Sequence, residues 1–145
     1  MMYNMMYNID PSLWGPYMWK SLHYITLSYP DNPTEEIKLM FKDFFTNIIY
    51  KFLPCEKCRY NYIKHLKELP LTEDILNSRN KFIYWLVDMH NIVNEETGKR
   101  KISYKEFNKI YLDNKENKKE NNISLYIIIF LVIILLILFT IYKKL

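Results

Sequence analysis

Apolar residues recur three and four apart from Leu13 to about residue 112, and no segment alternates with period two between turn residues. The pattern predicts helices and no sheet. A first helix is expected from Leu13 to Tyr29, burying Leu13, Trp14, Met18, Trp19, Leu22, Ile25 and Thr26 and stopping at Pro30. Asn32 offers an N-cap and Pro33 a first helical position, with Glu35 and Glu36 in the turn where the helix dipole favours acids. This second helix runs to about Phe52 behind Ile37, Met40, Phe41, Phe44, Phe45, Ile48 and Ile49. Pro54 interrupts it, and a third helix begins near Cys55 and ends at Leu69 and Pro70. A fourth, Ser78 to Glu96, carries Phe82, Trp85, Leu86, Met89 and Val93 on one face and stops near Gly98. Ser103 and Glu106 form a capping box for a short fifth helix ending near Leu112.

Helices of this length on short loops pack as antiparallel neighbours, so the fold class is all-α, a four-helix bundle plus a short fifth helix. The last part of the chain departs from amphipathic patterning. Residues 123–142, ISLYIIIFLVIILLILFTIY, carry no charge, and about 20 such residues match the roughly 30 Å of hydrocarbon a helix must cross. A C-terminal transmembrane helix is expected there, joined to a domain at residues 1–112 by a polar tether at 113–122. Lys143, Lys144 and Leu145 alone follow the span, so an anchor inserted after synthesis would leave the domain facing the cytosol. The lysines before the span outnumber those after it, which agrees with that single-pass orientation. The start has neither a basic n-region nor an apolar h-region, so no signal peptide is expected.

Composition adds limits more than chemistry. About 120 residues outside the apolar tail suffice for one domain with one core. Ala and Gln are absent and Ile, Tyr, Asn and Lys abundant, which reads as base-composition bias. The net charge is +4, with bases mixed among acids along the whole chain. No basic stripe forms, so nucleic acid is not an expected partner.

The chemistry lies in the two cysteines, set as Pro54-Cys55-Glu56-Lys57-Cys58. A thiol at a helix start is held as thiolate by the dipole, and a second one turn later is within disulfide reach. With no other sulfhydryl in the chain, electrons must come from and go to an outside partner. Three other readings stay open on the residues alone: an inert structural disulfide, as in a membrane-anchored virion protein; a zinc site using Cys55, Cys58 and His65; and a thioredoxin-like pair, for which the strands are missing. Trp19 and His23 share one helix face, and His90 and Asn94 another, with Asn91 one position aside. Flat rings and imidazole or amide donors on otherwise apolar surfaces suit an aromatic cofactor between helices, although a lone histidine is more often a satisfied core residue.

Taken in order, Trp14-Gly15-Pro16-Tyr17-Met18-Trp19-Lys20-Ser21-Leu22-His23, Tyr29-Pro30, Pro54-Cys55 with Cys58, Trp85, and His90-Asn91-Ile92-Val93-Asn94 with Gly98-Lys99 resemble the Erv/ALR family of FAD-linked sulfhydryl oxidases. The resemblance spans about Leu13 to Tyr111 and is nearest the short forms of large cytoplasmic DNA viruses. It implies FAD in a helical core, usually in a homodimer. It implies that Trp14, Gly15, Trp19 and His23 line the flavin, and that His90, Asn91, Val93, Asn94 and Lys99 contact the adenine, ribose and phosphates. By it Cys58 sits against the isoalloxazine and Cys55 faces a dithiol protein substrate or a small redox relay protein, with molecular oxygen as the final acceptor. Pro16 stands where cellular members often carry Arg, and their extra structural disulfide and shuttle CxxC are missing here. Whether Tyr104 or Tyr111 replaces an aromatic flavin contact of relatives is left open by the residues.

Overall fold

The computed structural model describes residues 7–113 and 126–135, and within them every regular element is helical. They divide into two compact units between Ile102 and Ser103.

In the first unit, α1 spans Pro11–Leu27. Asp10 caps it, its carboxylate accepting from Ser12 N at 2.8 Å with Pro11 next in line. The helix therefore starts two residues before the expected Leu13, which is 67% exposed and not part of the buried face. Arg79 Nη2 donates to Leu27 O at 2.8 Å near the other end. The second helix, α2, spans Glu35–Asp43 and is capped by Thr34, whose hydroxyl accepts from Ile37 N at 3.3 Å. Thr34 displaces the expected cap at Asn32.

Beyond Asp43 the expected single helix changes pitch, through a π turn at Phe44–Ile48 and a 3₁₀ turn at Ile49–Phe52. Aromatic and aliphatic residues surround this segment on nearly all sides, and the π turn rotates the register so that Phe45 and Ile49 point inward. Met40 and Ile48, expected in the apolar face, are exposed.

Helix α3 spans Glu56–Glu68, α4 is a short turn at Glu73–Leu76 capped by Thr72, and α5 spans Arg79–Glu96 with Ser78 as its cap. Helix α4 has no counterpart among the expected elements, being too short for periodicity to reveal. Leu22, Phe45, Ile49, Tyr62, Leu76, Phe82, Trp85, Leu86 and Met89 form the core shared by these helices. Its centre is aromatic: Phe82 lies 4.7 Å from Tyr29, 5.3 Å from Phe45 and 5.9 Å from Trp85, ring centre to ring centre. Lys38 is buried and bonds Glu35, Glu73 and Asn77, tying α2 to the α4 turn. The carboxylates around it, Glu35 first, raise its pKa.

In the second unit, α6 spans Tyr104–Asn108 behind the expected capping box: Ser103 Oγ accepts from Glu106 N at 3.2 Å, and Glu106 Oε2 accepts from Ser103 N at 2.9 Å. A π turn follows at Lys109–Asp113, and Tyr111 stacks on Phe107 at 4.7 Å. The expected span 123–142 lies only partly within the described residues. Residues 126–135 are helical, with mostly exposed apolar side chains. Among the described residues no helix is long and apolar enough to cross a membrane.

Candidate redox site

Extended backbone at Leu53 and Cys55, interrupted by Pro54, brings the chain into α3. Cys55 is the N-cap, its Sγ accepting from Cys58 N at 3.1 Å. The two sulfurs are joined in a disulfide with the Cα atoms 5.1 Å apart. That pairing occupies both thiols the zinc reading requires, and His65, its third ligand, turns its Nε2 to Glu96 at 3.0 Å. The turn is fixed from within the helix: Arg59, buried, donates from Nη1 to Leu53 O at 2.5 Å. Tyr62 Oη donates to Phe45 O at 2.9 Å, and burial raises its pKa. Trp85 Nε1 reaches Leu69 O at 3.1 Å, holding the far end of α3 to α5. The disulfide thus opens a helix whose position is set at both ends. Its position at the positive end of the helix dipole favours the thiolate form whenever the bond is opened.

A second group of side chains gathers where α1 meets α5. Trp19 stacks on His90, 4.2 Å between ring centres and 8° from parallel. His23 is fully buried, with Nε2 3.1 Å from His90 Nδ1, so one nitrogen donates and the other accepts. Helical spacing places Trp19 beside His23, but only the crossing of two helices brings either to His90. Burial lowers the His23 pKa to about 3, with His90 adding to the effect. Burial also lowers His90 to about 4, and the charge of Lys99 contributes. Lys99 is placed by the turn that ends α5, where Gly98 adopts φ +70 and Lys99 N donates to Asn94 O at 2.7 Å.

Four of the expected cofactor residues, Trp19, His23, His90 and Lys99, are therefore brought to one place. Asn94 is buried and holds that turn through its backbone, and Val93 O accepts from Thr97 N and Oγ1 at 3.0 and 2.8 Å. Asn91 is committed within the chain: its Nδ2 donates to Ile102 O and its Oδ1 accepts from Ile102 N, both at 2.9 Å. Trp14 packs on the same core as Trp19 and Cys58 while its indole N–H donates to Ile9 O at 3.1 Å. A Cβ built on Gly15 would meet nothing within 4 Å, which leaves open space over this turn of α1. Sequence reasoning did not foresee Arg59 bracing Leu53, His65 facing Glu96, or the contacts of Asn8 and Ile9 with the disulfide turn; none has a local signature.

Both imidazoles are neutral at pH 7, which sets the sign of a pH effect. Unfolded histidines titrate near 6.5, so below that pH the unfolded chain binds protons that the folded chain does not, and stability falls toward about pH 4 and then about 3. Above 6.5 the contribution is constant. Thermal melts are expected to show Tm dropping between pH 6.5 and 5, above the carboxylate range, with a shallower slope in His90→Gln. A flat series in the unsubstituted protein would contradict the buried neutral pair.

A helical domain that opens one helix with a disulfide and gathers stacked rings where two others cross has the architecture of a thiol–disulfide redox protein. The Erv1 / Alr family pattern matches residues 16–112. The probable FAD-linked sulfhydryl oxidase of Acanthamoeba polyphaga mimivirus is 47% identical over 98 residues, 68% of each chain. The FAD-linked sulfhydryl oxidase of an African swine fever virus isolate (Pig/Kenya/KEN-50/1950) is 36% identical over 98 residues, 68% of this chain and 79% of its own. Among solved structures, the FAD binding domain of Erv1 from Saccharomyces cerevisiae superposes with a TM-score of 0.65 at 30% identity, covering 72% of this chain and 96% of that one. The yeast Erv1 core gives 0.64 at 29% identity, over 77% and 91%. The chain belongs to the Erv1/Alr family.

Proposed function

We infer that this protein is an FAD-linked sulfhydryl oxidase that makes disulfides in dithiol proteins, directly or through a small redox relay protein, and delivers the electrons to molecular oxygen. The observation that carries the reading is the family match across residues 16–112 together with a Cys55–Cys58 disulfide at the start of α3.

The residues suit the cofactor. An isoalloxazine needs a flat wall and neutral ring nitrogens, and the adenine and diphosphate need a ring and a cation; Trp19 with the neutral His23, and His90 with Lys99, have that chemistry. Open space over Gly15 and the partly buried Cys58 fit the same assignment. Trp14, Gly15, Trp19 and His23 would hold the flavin ring, and His90, Val93, Asn94 and Lys99 the remainder of the molecule. Asn91, engaged with Ile102, would act by positioning that stretch of chain.

In turnover a substrate thiolate attacks Cys55 Sγ, forming a mixed disulfide as the Cys55–Cys58 bond breaks and Cys58 leaves as thiolate. The substrate's second thiolate then attacks the mixed disulfide at its own sulfur. Substrate departs oxidised, and Cys55 and Cys58 remain reduced. FAD, when bound, supplies the acceptor for that electron pair and the chemistry that passes it to oxygen as hydrogen peroxide. The protein's part is to hold the pair at a helix start that favours thiolate and to keep the ring cluster neutral.

The oxidase domain would occupy residues 1–112, act as a homodimer, and be tethered through 113–122 to a transmembrane helix at 123–142. The charge-free, largely apolar composition of 123–142 supports that anchor, and the lysine bias supports a cytosolic face for the domain, at a host or virion membrane.

The test is a spectrum and an oxygen electrode. Purified protein is expected to be yellow, to release FAD on denaturation, and to consume oxygen with dithiothreitol while producing peroxide. Truncation after Leu112 should preserve colour and turnover and abolish membrane association. A colourless, folded protein produced with ample riboflavin would refute the oxidase reading; loss of flavin on truncation would refute the domain boundary.

A further inference from the structure

The sulfur that the proposed reaction opens to substrate is the covered one. Cys55 is 6% exposed, whereas Cys58 is only partly buried. Attack on a disulfide requires the incoming sulfur to approach along the S–S axis from behind the sulfur attacked. A nearly enclosed Cys55 does not admit that approach.

The chain segment before α1 crosses at this point. Ile9 N donates to Pro54 O at 2.7 Å, and Asn8 Oδ1 accepts from Glu56 N at 3.2 Å. These are the residues on either side of Cys55, so the segment passes over the cysteine's own backbone. Ile9 O is held in turn by the Trp14 indole at 3.1 Å, and Asp10 fastens the end of the segment as the cap of α1. Residues 7–10 nevertheless have no regular structure, and all four are exposed. Asn8 and Ile9 are held by a few hydrogen bonds and little burial, a combination that opens easily compared with the core. The bond from Ile9 to Pro54 is of the kind an added extended strand makes with a chain edge, in which backbone groups supply affinity whatever the side chains.

Resting on the assignment of Cys55 as the sulfur that meets substrate, we propose that Asn8 and Ile9 form a displaceable strap over Cys55, occupying the place that the backbone of the substrate's cysteine-bearing segment takes. An extended peptide would replace the strap at Pro54 O and Glu56 N, which aligns its thiolate with Cys55 Sγ. The new sulfur–sulfur bond then forms as the Cys55–Cys58 bond breaks and Cys58 carries away the electron pair. Recognition through backbone groups lets one enzyme accept substrates of differing sequence, provided the cysteine lies in an unfolded or extended stretch. Folded substrates with enclosed cysteines would react poorly.

The full chain with Asn8→Ala and Ile9→Pro removes the acceptor for Glu56 N and the donor to Pro54 O. Reaction with a short reduced cysteine peptide, quenched by alkylation and read by mass, is expected to show the Cys55–Cys58 bond opening about tenfold faster, the scale of two lost hydrogen bonds. An unchanged or slower rate would overturn the proposal. Hydrogen exchange on the Cys58→Ser protein provides a second measurement that needs no strap variant. The Ile9 amide is expected to lose protection when Cys55 carries the peptide as a mixed disulfide, while the Glu56 amide keeps it through the peptide, and an Ile9 amide that stays protected would equally overturn the proposal. Neither readout uses flavin turnover, so a protein that never consumes oxygen would defeat the oxidase reading and leave the strap result to stand by itself.

Discussion

Cys58→Ser is expected to lower dithiol-driven oxygen consumption by at least about a thousandfold, a barrier increase of about 4 kcal/mol, with flavin absorbance unchanged. The chain contains two cysteines, so no third sulfur can replace the lost partner. Cys55 would remain as a single thiol with no bond for a substrate thiolate to open. Folding should survive, because serine is close to cysteine in size, Cys58 is only partly buried at the first turn of α3, and its backbone N–H still has the Cys55 sulfur within reach. The check is an oxygen electrode beside an absorbance spectrum of the same preparation. Turnover at the unsubstituted rate would remove Cys58 from the mechanism, and loss of colour would mean that the sulfur holds the cofactor as well as serving it.

Phe82→Ala has the largest effect expected on stability. Its ring is wholly buried, and Tyr29, Phe41, Phe45 and Trp85 all lie within ring-contact distance. Emptying such a site costs about 3–5 kcal/mol, and most of these ring pairs are edge-on or tilted, contacts that add roughly 0.5–1.5 kcal/mol each beyond area. Domains of this size have about 5–15 kcal/mol in total. The urea midpoint should therefore fall by a third or more, and Phe82→Leu should recover about half the loss. A shift equivalent to under about 1 kcal/mol would mean that the neighbouring rings close over the gap, contrary to their packing around four sides.

How far the fold can be read from the chain depends on whether the deciding contact is local. Helix α5 begins at the expected Ser78 cap, and α6 behind the Ser103 and Glu106 box, because a cap is a contact within one turn. The start of α1 was obscured by the apolar Leu13, although Asp10-Pro11-Ser12 carries both the cap and the proline that follows it. Asn32 and Thr34 are both competent caps, and Thr34 prevails with Ile37 N in reach and Glu35 and Glu36 after it. The π turn at Phe44–Ile48 is not legible, since apolar residues stand on every side and a shift of one position leaves the pattern unchanged.

The candidate site divides the same way. Trp19 with His23 follows from spacing, and so does Cys55 with Cys58. The approach of His23 to His90 spans 67 residues and depends on how α1 crosses α5. The residues alone suggest that the two helix faces flank one aromatic cofactor, but not that the two imidazoles meet. The paired hydrogen bonds of Asn91 with Ile102, the bracing of Leu53 by Arg59 and the strap of Asn8 and Ile9 each join backbone to a distant or irregular segment, and no periodicity records such contacts.

The closeness of the two cysteines along the chain bears on endurance. Their bond closes a loop of a few residues, worth about 2 kcal/mol in chain-entropy terms against nearly 5 for a loop of a hundred. Cys58 packs against the aromatic core, but so short a loop adds little to its cohesion. An enzyme that severs the same linkage at every round is served by one whose share in its own folding is this modest.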